Sequence, residues 1–221
     1  MQNIRKTQGF TLVEIAIVLV IIGLLLGGIL KGQEMITQAK IKNVIADYSG
    51  VSAAYHGYQD RYRAIPGDDT GAETRWGASS GTKKGDGNGV LTGKYNYNAG
   101  NDKESRYWWD HLRRSGFVSG SGFSQPFNAL TGYIGVQTGD GADDPTAIKP
   151  VLGGFSGLIM CSANLPDKIA IAVDTQMDDG SPEKGTVRGM AQSGGPNPDV
   201  SSASSAYEET GTNLYLLCRA M

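Results

Sequence analysis

From position 10 to position 30 the chain is an unbroken apolar run that carries one charge, Glu14. At about 1.5 Å of helical rise per residue, such a run reaches about 30 Å, the thickness of one bilayer core. A carboxylate inside that zone costs about 2.5–3.5 kcal/mol on insertion scales, which marks Glu14 as a functional residue in need of a partner. The preceding residues 1–9 contain Arg5 and Lys6 and no acid. That bias predicts a cytoplasmic N-terminus with the rest of the chain sent outward.

A cleaved secretory signal would have a shorter apolar region, about 7–15 residues, ending in a small-x-small site. Here the run ends Gly28-Ile29-Leu30-Lys31-Gly32. The other ordinary reading, an uncleaved signal anchor, leaves an acid one turn inside the span without explanation.

The basic leader, the phrase Gly9-Phe10-Thr11-Leu12-Val13-Glu14 and the apolar run together resemble the N-terminus of type IV prepilins and type II secretion pseudopilins. The resemblance implies cleavage between Gly9 and Phe10 by a prepilin peptidase, N-methylation of Phe10, and an assembly role for Glu14. The new amine would lie one helical turn from Glu14, and a buried carboxylate needs such a cation. In the family the acid of an incoming subunit is thought to pair with its neighbour's amine. Partners implied are the peptidase, other pilin or pseudopilin subunits and an inner-membrane assembly platform. The implied location is the inner membrane before assembly, with the C-terminal domain in the periplasm, and a periplasmic or surface filament afterwards.

Apolar residues continue past the span at three- and four-residue steps: Ile41, Val44, Ile45, Tyr48, Val51, Tyr55, Tyr58 and Tyr62. This predicts one helix to about position 63, ended by Pro66, which disfavours helix at Ile65, and by the turn Gly67-Asp68-Asp69. The tyrosine stripe reads as core packing. Many relatives place a proline soon after the apolar run, whereas this chain has none before Pro66. Gly27, Gly28 and Gly32 occupy that zone and weaken helix there by about 1 kcal/mol each relative to Ala. The small-x-x-x-small pairs Gly23/Gly27 and Gly28/Gly32 permit close helix approach in lipid.

The expected organisation is therefore a leader at 1–9, an assembly helix at 10–30, its amphipathic continuation at 31–65 and an exported domain at 66–221. The expected fold is α+β, a long N-terminal helix packed on an antiparallel sheet, as the resemblance implies. Glycine, 32 residues of the 221, makes the last region rich in loops. Strands are expected at 133–137, 155–161, 186–190 and 213–218. A short helix is expected at 101–116, with Asn101 and Glu104 as a capping box. The segment 166–179 fits strand or helix, and Pro166 with Gly180 favours helix. A looser resemblance, to a proteobacterial group of pilin-like proteins, rests on Ile65-Pro66-Gly67-Asp68-Asp69, the Gly-Asp-Gly-Asn-Gly loop and Asp178-Asp179-Gly180.

Cys161 and Cys218 are the only cysteines, and both fall outside the membrane on this topology. An oxidising periplasm favours their pairing over two buried thiols, and closing so long a loop contributes about 4 kcal/mol by chain-entropy reasoning. Asp86-Gly87-Asn88-Gly89-Val90 offers oxygen ligands at alternate positions, the spacing of a calcium loop. Tyr97 stands where an EF-hand would place its bidentate Glu, so a calcium site on Asp86, Asn88 and Val90 must recruit a distant acid, Glu104 or Asp102. The competing reading is a glycine-rich turn closed by Asx hydrogen bonds. Asp174, Asp178, Asp179 and Glu183 form a second acidic cluster that reads as a solvated helix end, and Asp140, Asp143 and Asp144 read as loop acids.

The net charge of −2 gives no basic footprint for nucleic acid. His56 and His111 stand in no nucleophile or metal-ligand spacing, so no enzymatic role is expected. Trp108 and Trp109 read as core or interface, and residues 201–205 as an exposed serine-rich loop. The expected function is a structural filament subunit. The alternatives are a minor pilin or pseudopilin of a secretion or DNA-uptake system and, in another class, a membrane-anchored calcium-dependent adhesion module.

Overall fold

The computed structural model describes residues 11–97, 102–139 and 150–221. The chain divides into two compact units, Met1–Ala39 and Lys40–Met221. A helix, α1, spans Leu12–Tyr62 and contributes to both. Of the first unit, the described residues from Leu12 onward are helical, and large apolar side chains from Leu12 through Ile36 are exposed.

The second unit begins with residues 40–62 of α1, whose buried positions are Ile41, Val44, Tyr48, Val51, Ala54 and Tyr58. Their three- and four-residue spacing puts them on one stripe, as the periodicity predicts. After Tyr62 the backbone turns at Arg63, with φ of 55°, shortly before Pro66. A one-turn helix follows, α2 (Ala72–Trp76), then a 3₁₀ turn at Ala78–Ser80 and the helix α3 (Glu104–Arg114). The strands are β1 (Ile134–Thr138), β2 (Leu158–Pro166), β3 (Val187–Ala191) and β4 (Leu214–Ala220), with helix α4 (Asp167–Met177) after β2. They form one antiparallel sheet in the order β1-β2-β4-β3. The α+β layout of a long N-terminal helix and an antiparallel sheet is thus the observed one.

Alternation along the strands divides the core in two. Tyr215 and Leu217 of β4, with Met160 of β2, join the α1 stripe, Trp108, Trp109, Leu112, Ile169 and Val173. Leu216 and Cys218, with Ile159 and Cys161, point to the other face and meet Tyr95, Leu152 and Phe155. Both faces are therefore covered, and β4 is buried through its middle. The Tyr48 hydroxyl donates to the Leu217 carbonyl at 2.7 Å, so the helix is bonded to the central strand as well as packed on it.

Several boundaries move for physical reasons. The short helix starts at Glu104, not position 101, with Lys103 as its N-cap; Asn101 lies outside the described residues. Its expected capping box is replaced, because the Glu104 carboxylate serves a neighbouring loop instead. The second strand starts at Leu158, since Val151 to Phe155 form a turn, and continues to Pro166 through a bulge between Ser162 and Leu165. Asn128 fills that bulge, its Nδ2 donating to Ser162 Oγ and the Ala163 carbonyl. The ambiguous segment 166–179 is helical, with Pro166 as N-cap rather than inside the first turn.

Candidate functional site

At its N-terminal end α1 is closed by its own acid. Thr11 stands immediately before Leu12, and Glu14 Oε2 accepts both the Thr11 amide and the Thr11 hydroxyl at 2.8 Å. In return Thr11 Oγ1 accepts the Glu14 amide at 3.3 Å. This reciprocal pair is a capping box, which satisfies amides that the first turn of a helix leaves free. Sequence reasoning took the acid and overlooked Thr11, although Thr-x-x-Glu spacing is itself the signal. Gly9 and Phe10 lie outside the described residues.

Beyond Glu14 the helix exposes Ile15, Ile17, Val18, Leu19, Val20, Ile21, Ile22, Leu24, Leu25 and Leu26. Burying a side chain of this size is worth about 1.5–3 kcal/mol, so the row is suited to lipid or to other helices rather than to water. The helix is long and apolar enough to cross a membrane. Residues 4–30 match the family model of the prokaryotic N-terminal methylation motif. This is the prepilin-type motif of type IV pilins and pseudopilins. No curated protein and no solved structure matches the chain. The prepilin-type match ends at residue 30, before the second unit begins at Lys40.

In that domain Asp86 and Glu104, two of the proposed calcium ligands, come together with Asp68, one oxygen of each lying within 4.8 Å of the others. Asp68 was not foreseen as a member; its signal was the Pro66-Gly67-Asp68-Asp69 turn. Asp68 Oδ1 accepts the Gly87 amide at 2.5 Å and Oδ2 the Gly89 amide at 2.8 Å. Glu104 Oε1 accepts the Asp86 amide at 3.0 Å, while Oε2 accepts the Thr92 amide and hydroxyl at 2.9 Å. Asn88 accepts the Val90 amide and donates to Asp86, so the alternate residues close Asx turns on one another. Asp102 pairs with Lys83 instead. The group has the oxygen chemistry to hold a hard cation through its remaining lone pairs. Its carboxylates also hold the loop 85–92 by its amides. Gly85 is required here, because a Cβ would lie 2.3 Å from Asp68 Cα.

The surroundings brace this loop. Buried His111 accepts the Gly67 amide at Nδ1, 2.8 Å, and its Nε2 lies 2.7 Å from the Lys83 carbonyl, so the ring is neutral with its proton on Nε2. Burial lowers its pKa from the ordinary 6.5. Burial raises Asp68, partly offset by the Gly89 and Gly87 amides, with Glu104 and Asp86 adding to the rise. Burial also opposes ionisation of Asp69, yet Tyr58, Arg75 and the Gly71 amide hold it below its usual range.

Cys161 and Cys218 are bonded to each other, directly opposite in the β2–β4 register. The bridge ties the C-terminal strand to the sheet, the pairing expected from the sequence. Asp174, Asp178 and Asp179 form a second acidic group, while Glu183 is exposed and outside it. Asp140, Asp143 and Asp144 lie outside the described residues. Trp108 and Trp109 are core residues.

Proposed function

We propose that this chain is a structural subunit of an exported type IV pilus or related filament, non-enzymatic and anchored in the inner membrane before assembly. The observation that carries the reading is the methylation motif over residues 4–30, continued by a helix whose apolar side chains are exposed. Prepilin peptidase cuts after Gly9, the new Phe10 amine is methylated, and the domain faces away from the cytoplasm. In the single chain Glu14 is held by Thr11. On assembly its carboxylate takes the amine of a neighbouring subunit, and the apolar rows bury one another. Other pilin-like subunits and a membrane assembly platform are the partners.

Mass spectrometry of the N-terminus tests the processing: methyl-Phe10 is expected, and an intact Met1 would leave an unprocessed anchor. Glu14→Ala tests the assembly. The variant inserts in the membrane as wild type does but yields few or no sheared filaments. Filaments in normal yield from that variant would sink the proposed pairing.

A further inference from the structure

We infer that the groove over residues 46–51 of α1 receives a second copy of this chain, whose Lys42 enters it to pair with Asp47. The groove encloses about 300 Å³ and is lined by Asp47 and Gly50 of α1, Trp109 of α3, Phe117, Phe127 and Ile134 of β1. All of these residues belong to the second unit. The inference rests on the filament reading above.

Two glycines of α1 point to an outside occupant. Gly50 and Gly57 are seven residues apart, two turns, and so lie on one face. At Gly57 a Cβ would come within 2.7 Å of the Phe117 ring, so the chain's own aromatic takes that notch. At Gly50 a Cβ would meet nothing within 4 Å. Glycine inside a helix costs about 1 kcal/mol relative to Ala, and here no contact within the chain requires it. Beside this open notch Phe127 is 60% exposed, the only large apolar side chain so exposed among the described residues after Ile36. An aromatic ring left in water beside an open helix notch supplies the apolar half of an interface.

The charges supply the polar half. Asp47 Oδ2 is buried with no hydrogen-bond partner. Burial raises the pKa of Asp47, partly offset by the Ala129 amide. No ion pair among the described residues includes this acid, and exposed Lys42 is equally unpaired. Within one copy the two do not face each other: a separation of five residues, at about 100° each, places them about 140° apart round the helix. Each copy therefore offers its carboxylate to one neighbour and its lysine to the next, the head-to-tail arrangement from which open helical filaments are built. The offset between copies agrees as well. Pairing Glu14 with a neighbour's Phe10 amine offsets parallel copies by four residues, and pairing Asp47 with that neighbour's Lys42 needs five in the same direction. The difference is about 1.5 Å along the helix, within the reach of a lysine side chain.

The test uses sheared filaments of the full-length chain. Filaments of the double variant Lys42→Cys with Asp47→Cys, treated with a short bismaleimide, should give a ladder of dimers, trimers and higher multimers under denaturing conditions. Neither single variant should give a ladder. Asp47→Lys and Lys42→Asp should each lower filament yield by at least about tenfold, and the two together should restore it. Filaments of the double-cysteine variant without a ladder, or a charge swap no better than its single changes, would overturn the pairing and leave the filament reading standing. Asp47→Cys joined to a different protein, with no ladder, would give the groove to another partner and equally overturn it. A wild-type chain that keeps Met1 and yields no filaments would remove the filament reading itself, and the inference with it.

Discussion

Two clusters of three acids lie in the same domain, and they differ in what their oxygens already hold. At Asp68, Asp86 and Glu104 the buried oxygens accept amides of a glycine-rich loop. At Asp174, Asp178 and Asp179 the buried member accepts the Tyr207 hydroxyl from a distant loop, and the other two accept amides of the turn that follows the helix. The first cluster has the sequence of a calcium loop and the bonding of a backbone clamp. The second has the sequence of a solvated helix end and the bonding of a buried acid tied to a distant tyrosine. Ligand spacing along a chain reports which oxygens can converge, whereas burial and hydrogen-bond accounting report which of them still need a partner.

The largest effect should come from the clamp. Glu104→Ala strands the Asp86 amide and the Thr92 amide and hydroxyl, and should destabilise the protein by about 3–4 kcal/mol in urea unfolding. The same cost is expected with EDTA present. If EDTA erased it, the first loop would depend on a metal after all, and the contrast between the clusters would fail.

A smaller effect separates the clusters by pH. His111 braces the clamp as a neutral ring, and its folded pKa lies below that of the unfolded chain. As pH falls below about 6.5 the unfolded state binds the proton first, so stability declines on acidification by at most about 1.4 kcal/mol per pH unit. Asp174 has the opposite sign. Burial raises its pKa, partly offset by Tyr207 and the Gly180 amide, with Asp179 and Asp178 raising it further. Its contribution falls as pH rises above the ordinary carboxylate value of 3.8. A melting-temperature profile of His111→Gln in EDTA should lose the decline between about pH 6.5 and 5, and an unchanged profile would remove His111 from the account.

Much of this architecture was legible in the sequence. The stripe from Ile41 to Tyr58 announces the helix that bears the sheet because a 3.6-residue period has one structural meaning at that length. The four strands fall within a few residues of their expected places, and the two cysteines pair across β2 and β4. What was not legible depends on contacts distant along the chain. Glu104 looks like a helix cap until residues 86 and 92 are seen to lie against it. Asp68 looks like a turn residue until residues 87 and 89 are bonded to it. Asp174 looks solvated because it stands in the last turn of its helix, and the partner of its buried carboxylate is Tyr207, from a loop 33 residues away.

The smallest predicted effect is the most discriminating. In EDTA, Asp174→Asn replaces a buried carboxylate by a neutral amide of the same shape. The lost charge relieves repulsion with Asp178 and Asp179, while the amide loses one acceptor oxygen and keeps the other for the Tyr207 hydroxyl, so the two changes oppose each other. Stability by urea unfolding should stay within about 1 kcal/mol of wild type, or rise slightly. A loss of several kcal/mol would mean that the Asp174 charge itself holds the end of α4, and the second cluster would then be a clamp like the first.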